Sequence, residues 1–205
     1  MNNIITISRE FGSGGRELGK RLADELKYSY YDSELITEIS KETGMTEEYI
    51  HNIFEKGIYP YAFQFAKSFS TYSSLQSNQT DILVVQQKIL KEIAKNGNCV
   101  IVGRGADIIL KDFNPLNIFV YADMDSKVNR CKEKADEKEK LSDKELKKKI
   151  IQIDKDREKF YSLLSSLKWG DKSNYHLCIN TSGIEIKNVV PAVASYAKSW
   201  FSRGK

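Results

Sequence analysis

The chain has few of the features that mark disulfide-bonded, zinc-binding or membrane-spanning proteins. Its three cysteines are odd in number and far apart, so they form neither a disulfide framework nor a CxxC metal motif. His51 has no cysteine or histidine within four residues and His176 has only Cys178, a set too small for a zinc centre. No apolar run reaches 18 residues, and the first residues lack the basic segment of a signal peptide. We therefore expect a cytoplasmic protein with no membrane partner.

Proline and glycine are also scarce, at three and twelve residues, and no stretch is typical of a linker. Apolar residues make up 40% of the chain and charged residues 29%, which is an ordinary globular composition. We expect residues 1–205 to form a single domain. The net charge is +4, from 32 basic and 28 acidic residues. This small excess suits phosphate-bearing partners and does not demand nucleic acid, so we expect no nucleic-acid partner.

The hydrophobic pattern alternates between strands and helices. Short apolar runs predict strands at 3–8, 27–31, 98–102, 116–122 and 175–180. Helical spacing predicts one helix that begins near Gly14 or Gly15. It predicts four more at about 33–43, 46–54, 80–96 and 185–201. Such alternation indicates an α/β fold in which helices cover both faces of a parallel sheet.

Two segments differ from this pattern. Residues 57–79 contain six aromatic residues and Lys67 as their only charge. They are either an arm that packs its aromatic rings on the core, or a substrate-side flap or self-association surface.

Residues 132–159 contain 20 charged residues out of 28. Such a run is most often a solvated helical face, and here it also suits a mobile excursion from the domain body.

The first predicted strand runs directly into a glycine-rich turn and then into a helix. The turn contains Gly12, Ser13, Gly14 and Gly15, with Arg9 at its opening and Arg16 and Glu17 after it. Backbone N–H groups of such a turn, with the positive end of the helix, favour phosphate binding. The alternative is a tight turn that binds nothing.

This turn departs from the GxxxxGK[ST] phosphate-binding loop. When residues 12–14 are placed on the end of that loop, Gly15 stands where the lysine would be and Arg16 where the Ser or Thr would be. We predict that Arg16 is the substitute cation, since a guanidinium reaches further than an ammonium group and binds two oxygens. The alternative is that Arg16 faces solvent or pairs with an acid of its own helix. Ser13 or Glu17 is the candidate replacement for the magnesium-binding hydroxyl; the other possibility is a metal held by phosphates and water alone.

Three further motifs lie at or near the carboxyl ends of the predicted strands, which is where a parallel sheet binds ligands. Arg104 follows the third strand in a glycine turn, and Asp32 follows the second strand. Arg104 is either an anion-binding group or a surface arginine that caps a loop, and Asp32 is a ligand group, a helix N-cap or both. Residues 154–161 place Lys155 and Arg157 in the charged helix, where cations suit a lid that closes over phosphates.

Taken together, residues 8–17, 31–33, 102–106, 154–157 and 174–181 resemble the cytidylate kinase-like family of P-loop nucleoside monophosphate kinases. The resemblance covers essentially the whole chain in the right order. It implies a three-layer α/β/α P-loop fold with sheet order 2-3-1-4-5, an acceptor-side helical region at about 32–80 and a charged lid at about 132–168. It also implies magnesium-dependent transfer of a phosphoryl group from ATP to a nucleoside monophosphate, nominally CMP.

With this resemblance, the candidate residues divide into three roles. We predict Arg16, Lys155 and Arg157 as catalytic residues. We predict Arg9, Gly12, Ser13, Gly14, Gly15, Arg16 and Glu17 as donor-binding residues, and Asp32, Arg104 and Asp154 as substrate-binding residues. The alternatives are a nucleotide-binding regulatory module without catalysis and a nucleic-acid-binding domain.

Overall fold

The computed structural model describes residues 2–32, 34–48, 50, 69–135 and 141–203. The strands are β1 (Ile4–Arg9), β2 (Ser29–Tyr31), β3 (Cys99–Val102), β4 (Leu116–Tyr121) and β5 (Leu177–Asn180). The helices are α1 (Gly15–Leu26), α2 (Glu34–Thr43), α3 (Phe69–Asn96), α4 (Ala106–Ile109), α5 (Met124–Lys134), α6 (Asp143–Leu164) and α7 (Ile186–Ser202).

All five strands are parallel, in the order β2-β3-β1-β4-β5, which confirms the predicted sheet. β1 lies at the centre, between β3 and β4. Its residues are buried on both faces, as expected for a strand of a covered parallel sheet. The carboxyl ends of β1 and β3 therefore meet at one edge, which is where the glycine turn and Arg104 follow their strands.

Two apolar clusters fill the two sides of the sheet. Ile5 and Ile7 face α1 and α7, while Ile4 and Ile101 face α3 and α4. The four-residue spacing of Leu18, Leu22 and Leu26 predicts the buried stripe of α1, and this is confirmed for Leu18 and Leu22, which are fully buried. The result is a three-layer α/β/α arrangement, because side chains of successive strand residues point to opposite faces.

The prediction of a helix at 80–96 was wrong at its start, because α3 already begins at Phe69. Serine, threonine and asparagine dominate 70–79 and favour a loop prediction, but no glycine or proline interrupts that stretch. Residues 69–79 of the aromatic segment thus belong to a helix, and its residues 57–68 lie outside the described part of the chain. Of the helix predicted at 46–54, residues 51–54 also lie outside it.

The charged segment at 132–159 comprises the end of α5 and most of α6, and these two helices pack against each other. Ser142 caps α6 and forms a capping box with Glu145, which explains why the helix begins there. Leu146 and Ile150 form its buried seam against Val128 of α5. In the described ranges, no helix is both long enough and apolar enough to cross a membrane.

Candidate functional site

The glycine turn has the backbone geometry of an anion-binding nest. Gly12 and Gly14 have φ of +77° and +82°, which other residues rarely adopt. A Cβ on Gly12 would also lie 2.9 Å from the Lys127 carbonyl oxygen. Gly14 is the N-cap of α1, and no side chain of the described residues caps that helix. The first amides of α1 are therefore available to an anion.

Hydrogen bonds of the Ser13 and Thr181 side chains hold the glycine turn in place. The Ser13 hydroxyl donates to the Glu10 carbonyl at 2.8 Å, and the Thr181 hydroxyl donates to the Ser13 carbonyl at 2.7 Å. Both side chains are fully buried. These two side-chain bonds use carbonyl oxygens and do not occupy backbone N–H groups of the turn, although the Ser13 N–H itself donates to the Glu10 carbonyl at 3.4 Å.

The predicted lid helix α6 lies directly on the opening of this turn. The Phe11 N–H donates to Asp154 Oδ1 at 2.6 Å, and Arg157 donates to the Arg9 carbonyl at 3.1 Å. Arg157 also lies 5.6 Å from the centre of the Phe11 ring, within cation–π range. The structure thus brings two of the three candidates in this helix, Asp154 and Arg157, to the glycine turn.

Lys155, the third candidate of α6, lies elsewhere. Its side chain is exposed, and among the described residues it is not one of those that line either cavity beside the turn. Because successive helical residues are about 100° apart, Lys155 lies about 100° from Asp154 and about 200° from Arg157 around the helix and cannot face the same way as these two residues. Its contact with donor phosphates remains a prediction that depends on movement of the helix.

A large cavity of about 970 Å³ lies between the glycine turn, α5 and α6. It is lined by glycine-turn backbone and by more basic than acidic side chains. The basic residues are Arg9, Arg16, Arg130, Lys134, Lys149, Arg157 and Lys159, and the acidic ones are Glu10, Glu17 and Asp156. An excess of cations in a cleft of this size favours an anionic ligand.

A small cavity of about 30 Å³ lies at the carboxyl ends of β1 and β3. Its lining includes Arg9, Arg104 and Arg157, and no acidic residue of the described chain is among the lining residues. Arg9 and Arg157 line the large cavity as well. Two guanidinium groups therefore stand between the two cavities, and this juxtaposition is the central feature of the site.

Asp32 connects two of the predicted arginines. It is buried, forms an ion pair with Arg16, and lies 3.9 Å from the Arg9 guanidinium. The Arg16 side chain is 67% exposed. Arg16 therefore pairs with an acid, as the alternative prediction proposed, although this acid follows β2 rather than belonging to α1. Its predicted role as substitute cation remains a prediction.

Arg104 is buried and has a φ of +63°, which is rare for a residue with a side chain. Its carbonyl accepts a hydrogen bond from the fully buried side-chain amide of Gln86 on α3. The turn is thus held by α3, which covers the same face of the sheet as α4. The predicted alternative of a surface arginine does not agree with this burial.

A buried acid links the turn after β3 to the lid helix. Asp107 accepts a hydrogen bond from the Tyr161 hydroxyl at 2.9 Å, and burial raises the pKa of Asp107 above its ordinary value. Burial beside Asp107 also raises the pKa of Tyr161. The hydrogen bond ties α4 to α6 one turn beyond Arg157, and so it helps to fix the position of that arginine.

Sequence reasoning missed Lys127, Gln86 and Asp107. Lys127 lies in α5 with its ammonium group 2.7 Å from Glu10 and 3.1 Å from Asp154. No motif distinguishes this lysine from the many exposed lysines of α5 and α6. Gln86 falls on the buried face of α3 and Asp107 lies next to apolar residues, and a polar residue on a buried helical face was the one signal available.

The two predicted magnesium ligands both have protein partners. The Ser13 hydroxyl is bonded within the turn, and Glu17 pairs with Arg21 at 3.0 Å and Lys134 at 2.9 Å. These pairs lower the pKa of Glu17. Among the residues described, no group of three His, Cys, Asp or Glu side chains could hold a metal ion. The residues present fit a metal that is held mainly by ligand phosphates and water.

Comparisons with known proteins agree with the fold and with the family resemblance. The model of the cytidylate kinase-like family matches residues 4–183. A cytidylate kinase of Saccharolobus islandicus is 22% identical over 197 residues, which are 96% of this chain and 91% of the relative.

Solved structures give the same fold. An uncharacterized protein from Eubacterium ventriosum has a TM-score of 0.71 and 26% identity, and the match covers 96% of this chain and 99% of that one. A shikimate kinase from Bacteroides thetaiotaomicron has a TM-score of 0.56 and 16% identity, over 97% and 99% of the two chains. At that identity the shikimate kinase likeness concerns the fold alone.

Proposed function

Since this chain belongs to the cytidylate kinase-like family, we propose that it transfers the γ-phosphoryl group of ATP to a nucleoside monophosphate such as CMP, or to a related small molecule. The observation that carries the proposal is the pair of guanidinium groups, Arg9 and Arg157, that line both cavities. Phosphoryl transfer depends on positioning and on positive charge around the group in transit. Two arginines between a large and a small cavity meet both requirements.

The large cavity is the proposed donor site. Its volume lies within the range of small-molecule sites, and its cations suit a triphosphate. In this assignment the backbone N–H groups of residues 12–15 hold the donor phosphates, and Arg9 and Glu17 border them. Magnesium, when bound, neutralises phosphate charge and orients the phosphates. Ser13 supports the turn through its hydrogen bond to Glu10 instead of facing the metal.

The sheet edge around the small cavity is the proposed acceptor side, since the cavity itself, at about 30 Å³, has room only for a water-sized group. Arg104 lines it, and Asp32 lies next to it through its ion pair with Arg9. A guanidinium binds a phosphate through two oxygens, whereas lysine offers a single point charge. Arg104→Lys is therefore expected to raise the acceptor KM and to leave donor binding unchanged. A loss of donor affinity instead would assign Arg104 to the donor side.

The cations of the transfer step come from three places in this proposal. Arg157 is already at the glycine turn, and Arg16 reaches the phosphates if the donor competes successfully with Asp32. Lys155 requires movement of α6 within the proposed lid of about 132–168. Asp154 is predicted to bind substrate. In this proposal it acts through the hydrogen bond that it accepts from the Phe11 amide.

A specific observation favours a second candidate, a nucleotide-binding regulatory protein without catalysis. Gly15 stands at the usual place of the lysine, and the Arg16 guanidinium is engaged in an ion pair with Asp32. Such a protein would bind ATP in the large cavity and would not consume it.

The experiment that separates the two candidates is an assay of ADP formation from ATP with a panel of nucleoside monophosphates and small alcohols, beside a measurement of ATP binding by calorimetry. Acceptor-dependent ADP formation is the expected result. ATP binding without turnover for every acceptor would favour the regulatory candidate. Absence of both would contradict nucleotide binding altogether.

A further inference from the structure

Lys127 is a lysine buried between two carboxylates. Its side chain is 7% exposed, and its Nζ lies 2.7 Å from Glu10 Oε2 and 3.1 Å from Asp154 Oδ2. A buried ammonium group is costly unless it is paired, so this lysine must keep both partners in place. Among the described residues, those that line the two cavities do not include Lys127, so it acts on a ligand only through other residues.

The two carboxylates belong to the two parts of the site that must meet. Glu10 is part of the turn that follows β1, and its Oε2 accepts the Ala122 N–H at 3.3 Å. Asp154 belongs to α6, and its other oxygen accepts the Phe11 N–H at 2.6 Å. Lys127 of α5 thereby joins the glycine turn to the lid helix. Arg157, one turn further along α6, lies 3.8 Å from Asp154.

We infer that Lys127 is a positioning residue for phosphoryl transfer: it holds the Asp154 carboxylate on the Phe11 amide, and so fixes the opening of the glycine turn relative to Arg157. The catalytic consequence of this inference rests on the proposed function. The dependence of the Phe11–Asp154 hydrogen bond on Lys127 is independent of the proposed function.

The physical reason is the charge balance at Asp154. This carboxylate faces Lys127 and Cys131 from α5, Glu10 from the turn and Arg157 on its own helix. Burial raises the pKa of Asp154, and Lys127, Arg157 and the Phe11 amide oppose that shift. Without the Lys127 ammonium group, less positive charge would offset the desolvation of the Asp154 carboxylate and its repulsion by the nearby Glu10 carboxylate. Asp154 would then take up a proton at higher pH and accept the Phe11 N–H more weakly.

The direct test follows the Phe11 amide by NMR as pH is lowered, in the wild-type chain and three variants. We expect one titration in the wild type, with a midpoint that rises by about one pH unit or more in Lys127→Met and returns toward the wild type in Lys127→Arg. Asp154→Asn, which cannot titrate, should abolish the transition even if Lys127→Met does not fold. A Phe11 amide that does not titrate, or an unchanged midpoint in a folded Lys127→Met, would overturn the inference.

The catalytic test measures the acid limb of the kcat profile in the same variants. The limb should move to higher pH in Lys127→Met by the same amount as the Phe11 midpoint. Lys147→Met is the matched control, because Lys147 joins the same two helices through an exposed pair with Asp125 at 3.2 Å. Its profile should not move. Lower kcat at all pH values with an unmoved limb would indicate a merely structural role and would contradict the inference.

The two tests also separate this inference from the proposed function. If the wild type forms no ADP with any acceptor, the proposed function fails. The Phe11 titration still decides whether Lys127 holds Asp154 in place.

Discussion

Arg157 donates a hydrogen bond to the backbone carbonyl of Arg9, 148 residues earlier in the chain, at 3.1 Å. The bond links the helix between β4 and β5 to the last residue of the central strand. Because the Arg9 side chain reaches Asp32 after β2, this one contact connects the proposed lid helix, the glycine turn and the proposed acceptor side. Movement of α6 would therefore be felt on both sides of the proposed site.

Removal of the Arg157 guanidinium tests its place between the cavities. Arg157→Ala is expected to lower kcat by about 10²-fold or more and to change donor affinity much less, because the charge acts on the group in transit. Steady-state kinetics with ATP and the acceptor found in the panel provide the measurement. Lys95→Ala is the control, since it removes a cation from an exposed pair with the same i,i+3 spacing. Equal turnover in Arg157→Ala would contradict the lid assignment.

Arg16→Ala distinguishes a substitute cation from an ion-pair partner. If Arg16 replaces the missing lysine, as we predict, kcat falls by about 10² to 10³, which corresponds to about 2–4 kcal/mol of transition-state stabilisation. Asp32→Asn, which breaks the same ion pair and keeps the arginine, should leave more of that turnover. Equal kinetic effects of the two variants would show that Arg16 acts only through Asp32.

Gly103→Ala tests the position of Arg9. A Cβ at Gly103 would lie 1.8 Å from Arg9 Nη1, so the buried guanidinium must move. Gly183 has a similar positive φ of +65° but no atom within 4 Å of a Cβ, so Gly183→Ala is a control for backbone strain alone. Both variants should lose about 1–2 kcal/mol of stability in denaturant unfolding. Only Gly103→Ala should lose turnover, by about 10²-fold. Full activity in Gly103→Ala would contradict the role of Arg9.

Asp107→Asn should change how stability depends on pH. The pKa of Asp107 is raised on folding, so the folded state binds this proton more tightly than the unfolded state. Its contribution to the free energy of unfolding is therefore present below the unfolded pKa, near 4, and is lost as pH rises toward the folded value. The wild type should lose stability relative to Asp107→Asn over this rise.

The measurement for Asp107 is urea unfolding of both chains at several pH values from about 4 upward. Comparison of the two chains cancels the contributions of other carboxylates, such as Glu17. Tyr161→Phe controls for loss of the hydrogen bond without removal of the acid. A constant difference between the wild type and Asp107→Asn at all pH values would contradict the raised pKa.

The sequence by itself determined the fold and the location of the phosphate-type turn. Strand runs such as 3–8 and the stripe of Leu18 and Leu22 report burial directly, because apolar periodicity follows from which face is covered. The positions of Gly12 and Gly14 after the first strand follow from backbone conformations that other residues rarely adopt. The predicted start of α3 was wrong because the serine, threonine and asparagine residues at 70–79 have weak helix propensity, whereas the helix begins at Phe69.

Only the tertiary structure decided which charges meet. Nothing local distinguishes Lys127, which is buried between Glu10 and Asp154, from Lys155, which is exposed. Arg16 pairs with Asp32 because β2 ends beside the start of α1, and helix-spacing rules have no access to that contact. Ion pairs between elements depend on distances of a few ångströms across the fold, whereas a sequence pattern records only the period along one element.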